Sequence, residues 1–469
     1  MIHYKPQKGL VLTIAFVIIL AFQSCKKTQG ESGAETLNIS NNFKEWAKTP
    51  PMGWNSWDCY GPTVKENEVL DNARYMADNL KDFGWEYVVV DIRWYVENTK
   101  SHGYNQTNPV YVIDAYGRYL PAIKRFPSAE KGKGFKALAD KIHNMGLKFG
   151  IHLMRGIPKY AVEHKLPIKG TSGITADQIY SEDNQCKWLK DNYTIDANKP
   201  GAQEYYNSLF DMYAAWGVDF VKIDDLSAPM YHKNEIELIR KAIDQCGRKI
   251  VLSTSPGETP VADAVHVNEH ANMWRMVNDV WDSWWHIRHL MEVSQSWYGY
   301  NKNGTWPDCD MIPLGRLSIR GERGDDRMTQ LTKDEQYTLM TFFTIFKSPL
   351  FFGGDLPSND AFTNALLTNK EVLKMHSEGS EVRQVFMNDG KLAITSKNKK
   401  EDVTYLALFN IGDKDSLNIS VDLKDLSLPN KVNITNMWNN KTSVLENGTV
   451  EKILAPHASI LYKIHDLIK

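Results

Sequence analysis

Val218-Asp-Phe-Val-Lys-Ile-Asp-Asp225 is a short, mostly apolar run that closes on two carboxylates, and read beside its neighbours it decides the architecture. Trp85-Glu-Tyr-Val-Val-Val-Asp91 has the same form, and Leu147 to Leu153, Lys249 to Ser253 and Leu350 to Phe352 are further runs of this kind. Short apolar runs are expected as parallel strands covered on both faces. Between them the period changes. Val69, Ala73, Met76 and Leu80 recur at helical spacing behind Thr63-x-x-Glu66, and Thr332-x-x-Glu335 opens another helix; both tetrapeptides read as capping boxes. Strands alternating with helices, with Asp91, Asp224 and Asp279 each finishing or following a strand, predict a (β/α)8 TIM barrel whose site lies at the strand C-termini.

The chain is long enough for more. Its 469 residues exceed a barrel of about 250 residues. Past about residue 380 the pattern becomes short alternating strands, Val403 to Phe409, Leu417 to Val421, Val432 to Met437 and Ser459 to Ile464, with turn signals at Asp389-Gly390 and Asn447-Gly448. That is the pattern of an antiparallel β-sandwich. No chemistry is evident in it, and packing is the expected role. The start of the chain is an address. Lys5 and Lys8 precede an apolar run from Gly9 to Phe22, then Gln-Ser-Cys25 and two lysines, which reads as a bacterial lipoprotein signal with Cys25 as the lipidated residue. The run is shorter than the ~20 residues of a spanning helix. The expected division is residues 1–25 signal, 26–42 flexible tether, 43–378 catalytic barrel and 379–469 sandwich, in an exported, membrane-anchored lipoprotein on the periplasmic side or the cell surface.

Charge narrows the partners. With 55 basic and 57 acidic side chains the net charge is −2, which excludes a nucleic-acid groove or a polybasic membrane surface. Lipid is the only expected membrane contact. Beyond Cys25 four cysteines remain, Cys59, Cys186, Cys246 and Cys309, at spacings that match no zinc motif. Free thiols or one bridge are the readings, and neither metal nor cofactor is expected.

Asp224 and Asp279 carry the chemistry. Glycoside hydrolysis with retention needs one ionised carboxylate to attack the anomeric carbon and one protonated carboxyl to release the departing oxygen. Alternation along a strand puts Lys222 and Asp224 on one face, and the ammonium favours the ionised nucleophile. Asp279, in Trp274-Arg-Met-Val-Asn-Asp-Val-Trp281, has Val277, Val280 and Trp281 around it to desolvate it as the acid; Asp282 is the competing candidate.

The surrounding words resemble glycoside hydrolase family 27, the α-galactosidases and α-N-acetylgalactosaminidases. The resemblance runs through Thr49-Pro-Pro-Met-Gly-Trp-Asn-Ser-Trp57, Arg125-Phe-Pro127, Gly146-Leu-Lys-Phe-Gly-Ile151, Trp216 to Asp224, Trp274-Arg275, Asp282-Ser-Trp284, Pro307-Asp-Cys-Asp-Met311 and Ser348-Pro-Leu-Phe-Phe-Gly-Gly-Asp355. It implies Trp57 at the pocket mouth as a stacking face, Asp91 as a sugar ligand, Lys222 and Arg275 as cationic contacts to ring hydroxyls, and Asp310, with Asp308 two residues away, as a pocket aspartate. Ser255 falls where many members read the 2-hydroxyl with a glutamate. The chain departs from the pattern in five places. Ile92 replaces the second of two adjacent aspartates, Ser255 is small, His152 stands where a tyrosine is expected, and an insertion over about 154–193 separates the third and fourth strands. Leu226 replaces the cysteine of the family's usual bridge. The expected activity is removal of terminal α-galactosyl units from oligo- or polysaccharides through a covalent glycosyl-enzyme. β-L-Arabinopyranosidase, favoured by Ile92, and α-N-acetylgalactosaminidase, favoured by Ser255, are the alternatives on the same scaffold. A sugar-binding lipoprotein without catalysis is the alternative of another class.

Overall fold

The computed structural model describes residues 43–97 and 103–467. The signal, Cys25 and the tether lie outside the described residues. Among those described, no helix is long and apolar enough to cross a membrane.

Eight short parallel strands form the barrel: β1 Met52–Asn55, β2 Tyr87–Val90, β3 Lys148–Met154, β4 Phe220–Asp224, β5 Val251–Thr254, β6 Met273–Arg275, β7 in two pieces, Trp306–Asp308 and Met311–Ile312, and β8 Leu350–Phe352. Each pairs in parallel with its neighbour in this order, and β1 pairs with β8. The ring closes through the broken strand. Asp308 pairs with Arg275 of β6, while Met311 and Ile312 pair with Phe351 and Phe352 of β8. The runs read from sequence as strands are in place; β1, β6 and β7 are two to four residues per piece and carry Gly, Trp, Arg and Pro, so no apolar run announces them.

Helix boundaries follow side-chain caps. At Thr332 the box forms as expected, Glu335 N–H donating to Thr332 Oγ1 at 3.3 Å and Thr332 N–H to Glu335 Oε2 at 2.8 Å, ahead of the helix Lys333–Phe346. At Thr63 it does not. The helix there is Glu66–Asn79, Lys65 N–H donates to Glu68 Oε2 at 2.9 Å, and Thr63 ends a short 3-10 turn. Glu66 is used across the fold instead, accepting from Ser128 N–H at 2.9 Å.

The sandwich follows the last barrel-side helix, Lys370–Glu378, and begins at Ser380. A six-stranded antiparallel sheet faces a two-stranded one, Leu417–Asp422 with Thr449–Leu454. The strand Val403–Asn410 is buried on both faces. Leu406 and Leu408 enter the sandwich core with Ile419 and Val421, whereas Tyr405, Ala407 and Phe409 join the barrel's core. Phe409 meets Phe342 of the helix Lys333–Phe346 edge-on, with ring centroids 6.2 Å apart. Period-two alternation thus fuses the two parts along one sheet. All four described cysteines are free thiols, so the bridge reading is not realised.

Candidate active site

Strand register builds the floor of the site. Adjacent strands put His152 of β3 level with Lys222 of β4, and Lys222 level with Ser253 of β5, while Asp91 follows β2 and Asp224 ends β4. Asp91 is held on three sides: Asn55 Nδ2 donates to its Oδ2 at 2.7 Å, Lys222 Nζ to the same oxygen at 3.0 Å, and Ile92 N–H to Oδ1 at 2.8 Å. Burial alone would raise its pKa, but Lys222, then His152, outweigh it and the carboxyl is held below its usual range. Asp224 obeys the same balance. Burial opposes its ionisation, yet His152 and Lys222 hold it well below the usual carboxylate range, with His152 Nε2 3.2 Å from Oδ2 and a contribution from Ser255. Lys222 is in turn kept charged against burial by Asp91 and Asp224.

Asp279 has other surroundings. It lies four residues past β6 in a loop that Gly257 allows to pack closely, since a Cβ there would fall 2.0 Å from Val277 O. Val277, Val280 and Trp281 are buried, and Val277 and Val280 line the same cavity as Asp279, whose carboxyl is 27% exposed and accepts from Arg275 Nη2 at 3.1 Å. Arg275 also reaches Asp310 at 2.6 Å, and Asp310 Oδ2 accepts Val280 N–H at 2.7 Å, so one guanidinium and one carboxyl fix the loop that presents Asp279. Burial pushes the Asp310 carboxyl up, to about 7, against the pull of Arg275. Asp282 is fully engaged elsewhere: Arg327 clamps it at 2.6 and 3.0 Å and Gln330 N–H donates at 2.9 Å.

Asp224 and Asp279 line one open cavity of about 440 Å³ with Tyr104, Trp188, Trp285 and Glu322. Lys222, Arg275, Asp308 and Asp310 with Asn55 line a small void of about 20 Å³ in the barrel interior. Trp57 is not at an open mouth. It is 3% exposed, with the Tyr104 ring against it at 5.3 Å, and Tyr104 is the ring that meets the cavity. The insertion does reach the rim, contributing Trp188, and it is tied to the loop after Asp224 by Arg155, which pairs with Asp225 at 2.8 Å and Glu235 at 3.1 Å.

Sequence reasoning missed Asp58, Tyr104, Trp188, Trp285 and Glu322. Asp58 is buried with Oδ2 unpartnered, and burial, then the charges of Asp310 and Asp279, push its carboxyl far up; Gly353 makes its room, because a Cβ there would lie 2.0 Å from that oxygen. Its place directly after Trp57, where the Thr49–Trp57 motif ends, was the signal that could have found it. Among the described residues, Glu237, His266 and His270 are grouped closely enough to hold a metal ion, and none lines the cavity.

A family pattern described as "Alpha galactosidase A" matches residues 190–378, and one described as "Alpha galactosidase C-terminal beta sandwich domain" matches residues 389–464. The crystal structure of a GH27 β-L-arabinopyranosidase from Geobacillus stearothermophilus is 49% identical, covering 91% of this chain and 98% of its own, with a TM-score of 0.89. The chain belongs to glycoside hydrolase family 27. More distant family 27 relatives include the α-galactosidase A of Cellvibrio japonicus, 26% identical over 88% of this chain and 90% of that protein, and the rat α-N-acetylgalactosaminidase, 25% identical over 80% of each. The protein is a glycoside hydrolase, and its substrate is a carbohydrate.

Proposed function

We propose that the protein removes terminal pyranosyl units of galacto configuration with retention, and that L-arabinopyranose is the ring it prefers. Ile92 carries the preference. β-L-Arabinopyranose has the ring stereochemistry of α-D-galactopyranose without the C6 hydroxymethyl group, so a site that holds the shared hydroxyls accepts both. Beside Asp91 the chain offers a buried isoleucine, packed in one apolar cluster with Trp57, Trp188 and Leu189, where the family resemblance calls for a second carboxylate. A hydroxyl desolvated there would lose its partner. The arabinopyranosidase relative at 49% identity supports this reading, as does the 49% identical structure of its variant in complex with arabinose. The intact Asn55–Asp91–Lys222 arrangement supports the second reading, an α-galactosidase.

Asp224, ionised beside Lys222 and His152, attacks the anomeric carbon and forms the glycosyl-enzyme; Asp279, open to the pocket, protonates the leaving oxygen and then activates water. Ile92→Asp restores the carboxylate. It should raise kcat/KM for nitrophenyl α-galactopyranoside relative to nitrophenyl β-L-arabinopyranoside by about tenfold. A wild-type enzyme that favours the galactoside, with a ratio that Ile92→Asp leaves unmoved, sinks the pentose reading.

We also propose export as a lipoprotein anchored through Cys25 on the periplasmic or outer surface, with oligo- or polysaccharide ends as substrate. The support is the sequence pattern of residues 1–25. Cys25→Ala should move the protein to the soluble fraction. Retention in alkaline-washed membranes refutes the anchor.

A further inference from the structure

We propose that the outer half of the pocket is a subsite for a neutral sugar as leaving group, with the Trp285 indole as the face on which that sugar's ring stacks. The inference rests on Asp224 and Asp279 acting as nucleophile and acid. Its starting point is exposure. Trp285 is 64% exposed, and a large aromatic ring held in solvent loses its apolar burial unless something covers it. Its neighbour Trp284 turns inward and stacks on His457 at 3.9 Å. Trp285 is nonetheless held in place. His289, one turn along the same helix, lies parallel to it with centroids 5.3 Å apart and planes 8° apart. His289 Nε2 is 2.9 Å from Glu258 Oε1 in the loop after β5, so the platform is braced from the barrel side.

Position assigns the occupant. Asp224, Asp279, Trp285, His286 and His289 lie together on the wall of the cavity of about 440 Å³. A ring attacked by Asp224 has its departing oxygen at Asp279, and what lies beyond Asp279 meets the leaving group. The C–H face of a pyranose is apolar and matches an indole plane, while its hydroxyls point to the polar rim. Charge selects a neutral ring. Arg323 Nε donates to Glu322 Oε2 at 3.1 Å and its guanidinium sits over Trp281, and the His289 ring meets Glu258, so the basic side chains of the rim already have partners within the protein.

The test compares leaving groups of similar basicity and different size. Wild type, Trp285→Ala, Trp285→Phe and His289→Ala are assayed on methyl β-L-arabinopyranoside and on β-L-arabinopyranosyl-(1→3)-L-arabinose, with β-L-arabinopyranosyl fluoride as a check on the glycone. In Trp285→Ala, kcat/KM should fall about tenfold further for the disaccharide than for the methyl glycoside, mainly through KM. Trp285→Phe should retain most of the preference, and His289→Ala should lose part of it. Equal losses on both substrates, or a disaccharide preference unchanged by Trp285→Ala, overturn the subsite. If wild type hydrolyses α-galactosyl fluoride but not the arabinosyl fluoride, the pentose reading fails separately, and methyl α-galactopyranoside against melibiose decides the subsite by the same differential.

Discussion

Among the buried basic side chains of this protein, those in two regions treat charge in opposite ways. At the barrel mouth Lys222 and Arg275 lie in direct contact with Asp91 and with Asp279 and Asp310, and both cations are held charged despite burial. Below it, where the helix Lys333–Phe346 turns into β8, Lys347 Nζ donates only to the carbonyls of His376 and Ser377, at 2.7 and 3.1 Å, and His376 Nε2 lies 2.6 Å from Ser348 O. There burial wins. It draws Lys347 down to about 7 and, with the Lys347 charge adding to it, His376 down to about 3. A buried group keeps its ion only where an opposing ion is built beside it, and this fold builds those pairs at the end of the strands where a sugar must be attacked.

The largest effect should come from breaking the mouth at its two carboxylates. Asp224→Ala should lower turnover by about 10⁴-fold or more, with azide restoring it and giving product of inverted configuration. Asp279→Ala should lose about 10²- to 10³-fold on poor leaving groups and far less in the glycosylation step with a dinitrophenyl leaving group, and azide rescue should retain configuration. If Asp282→Ala shows the leaving-group dependence instead, the roles proposed for this pocket are wrong, although the Arg327 clamp on Asp282 argues for Asp279.

A smaller effect would sharpen the comparison. His152→Leu removes one of the two groups that hold Asp224 ionised, so the Asp224 pKa should rise and the acid limb of kcat/KM should move to higher pH, with about a 10- to 100-fold loss at low pH. His152→Gln, which keeps a donor, should lose less. An acid limb that stays where it was would show that Lys222 alone sets the nucleophile.

The mildest test is at Lys347. Its folded pKa lies below the unfolded value near 10.4, so the unfolded chain binds the extra proton between them: the stability it contributes is full at high pH and is lost as pH falls from about 10.4 to about 7. His376 continues the trend, losing stability as pH falls from about 6.5 to about 3. Denaturant unfolding at pH 7.5 and 9.5 should therefore show wild type gaining about 2 kcal/mol relative to Lys347→Met. A parallel pair of pH dependences would mean that Lys347 finds an anion in the folded state.

Much of this was legible because strand burial writes itself as apolar runs: Tyr87–Val90 and Phe220–Asp224 could be little else than covered strands, and of the carboxylates at their ends Asp224 lines the cavity. What escaped was whatever depends on register or on loops. His152 faces Asp224 because β3 and β4 pair in one register, which a single strand does not reveal. Trp57 and Tyr104 exchange roles because a loop distant in sequence lays one ring over the other. The Asp279 loop gave less away: Val277 and Val280 line the cavity beside it, but the Arg275 contact to its carboxyl joins residues four apart outside any helix.

The break in β7 has one more consequence. Trp306–Asp308 is laddered only to β6, and Met311–Ile312 only to β8, so across this seam the ring is joined by two residues of chain, Cys309 and Asp310, and not by a hydrogen-bond ladder. A circular permutant opened on a helix would keep a closed ring. One opened at Cys309 would have two free sheet edges, and it would cut the backbone next to Asp310, whose carboxyl carries the loop of Asp279. The point where the barrel is held by covalent chain alone is also a point from which Asp279 is aimed.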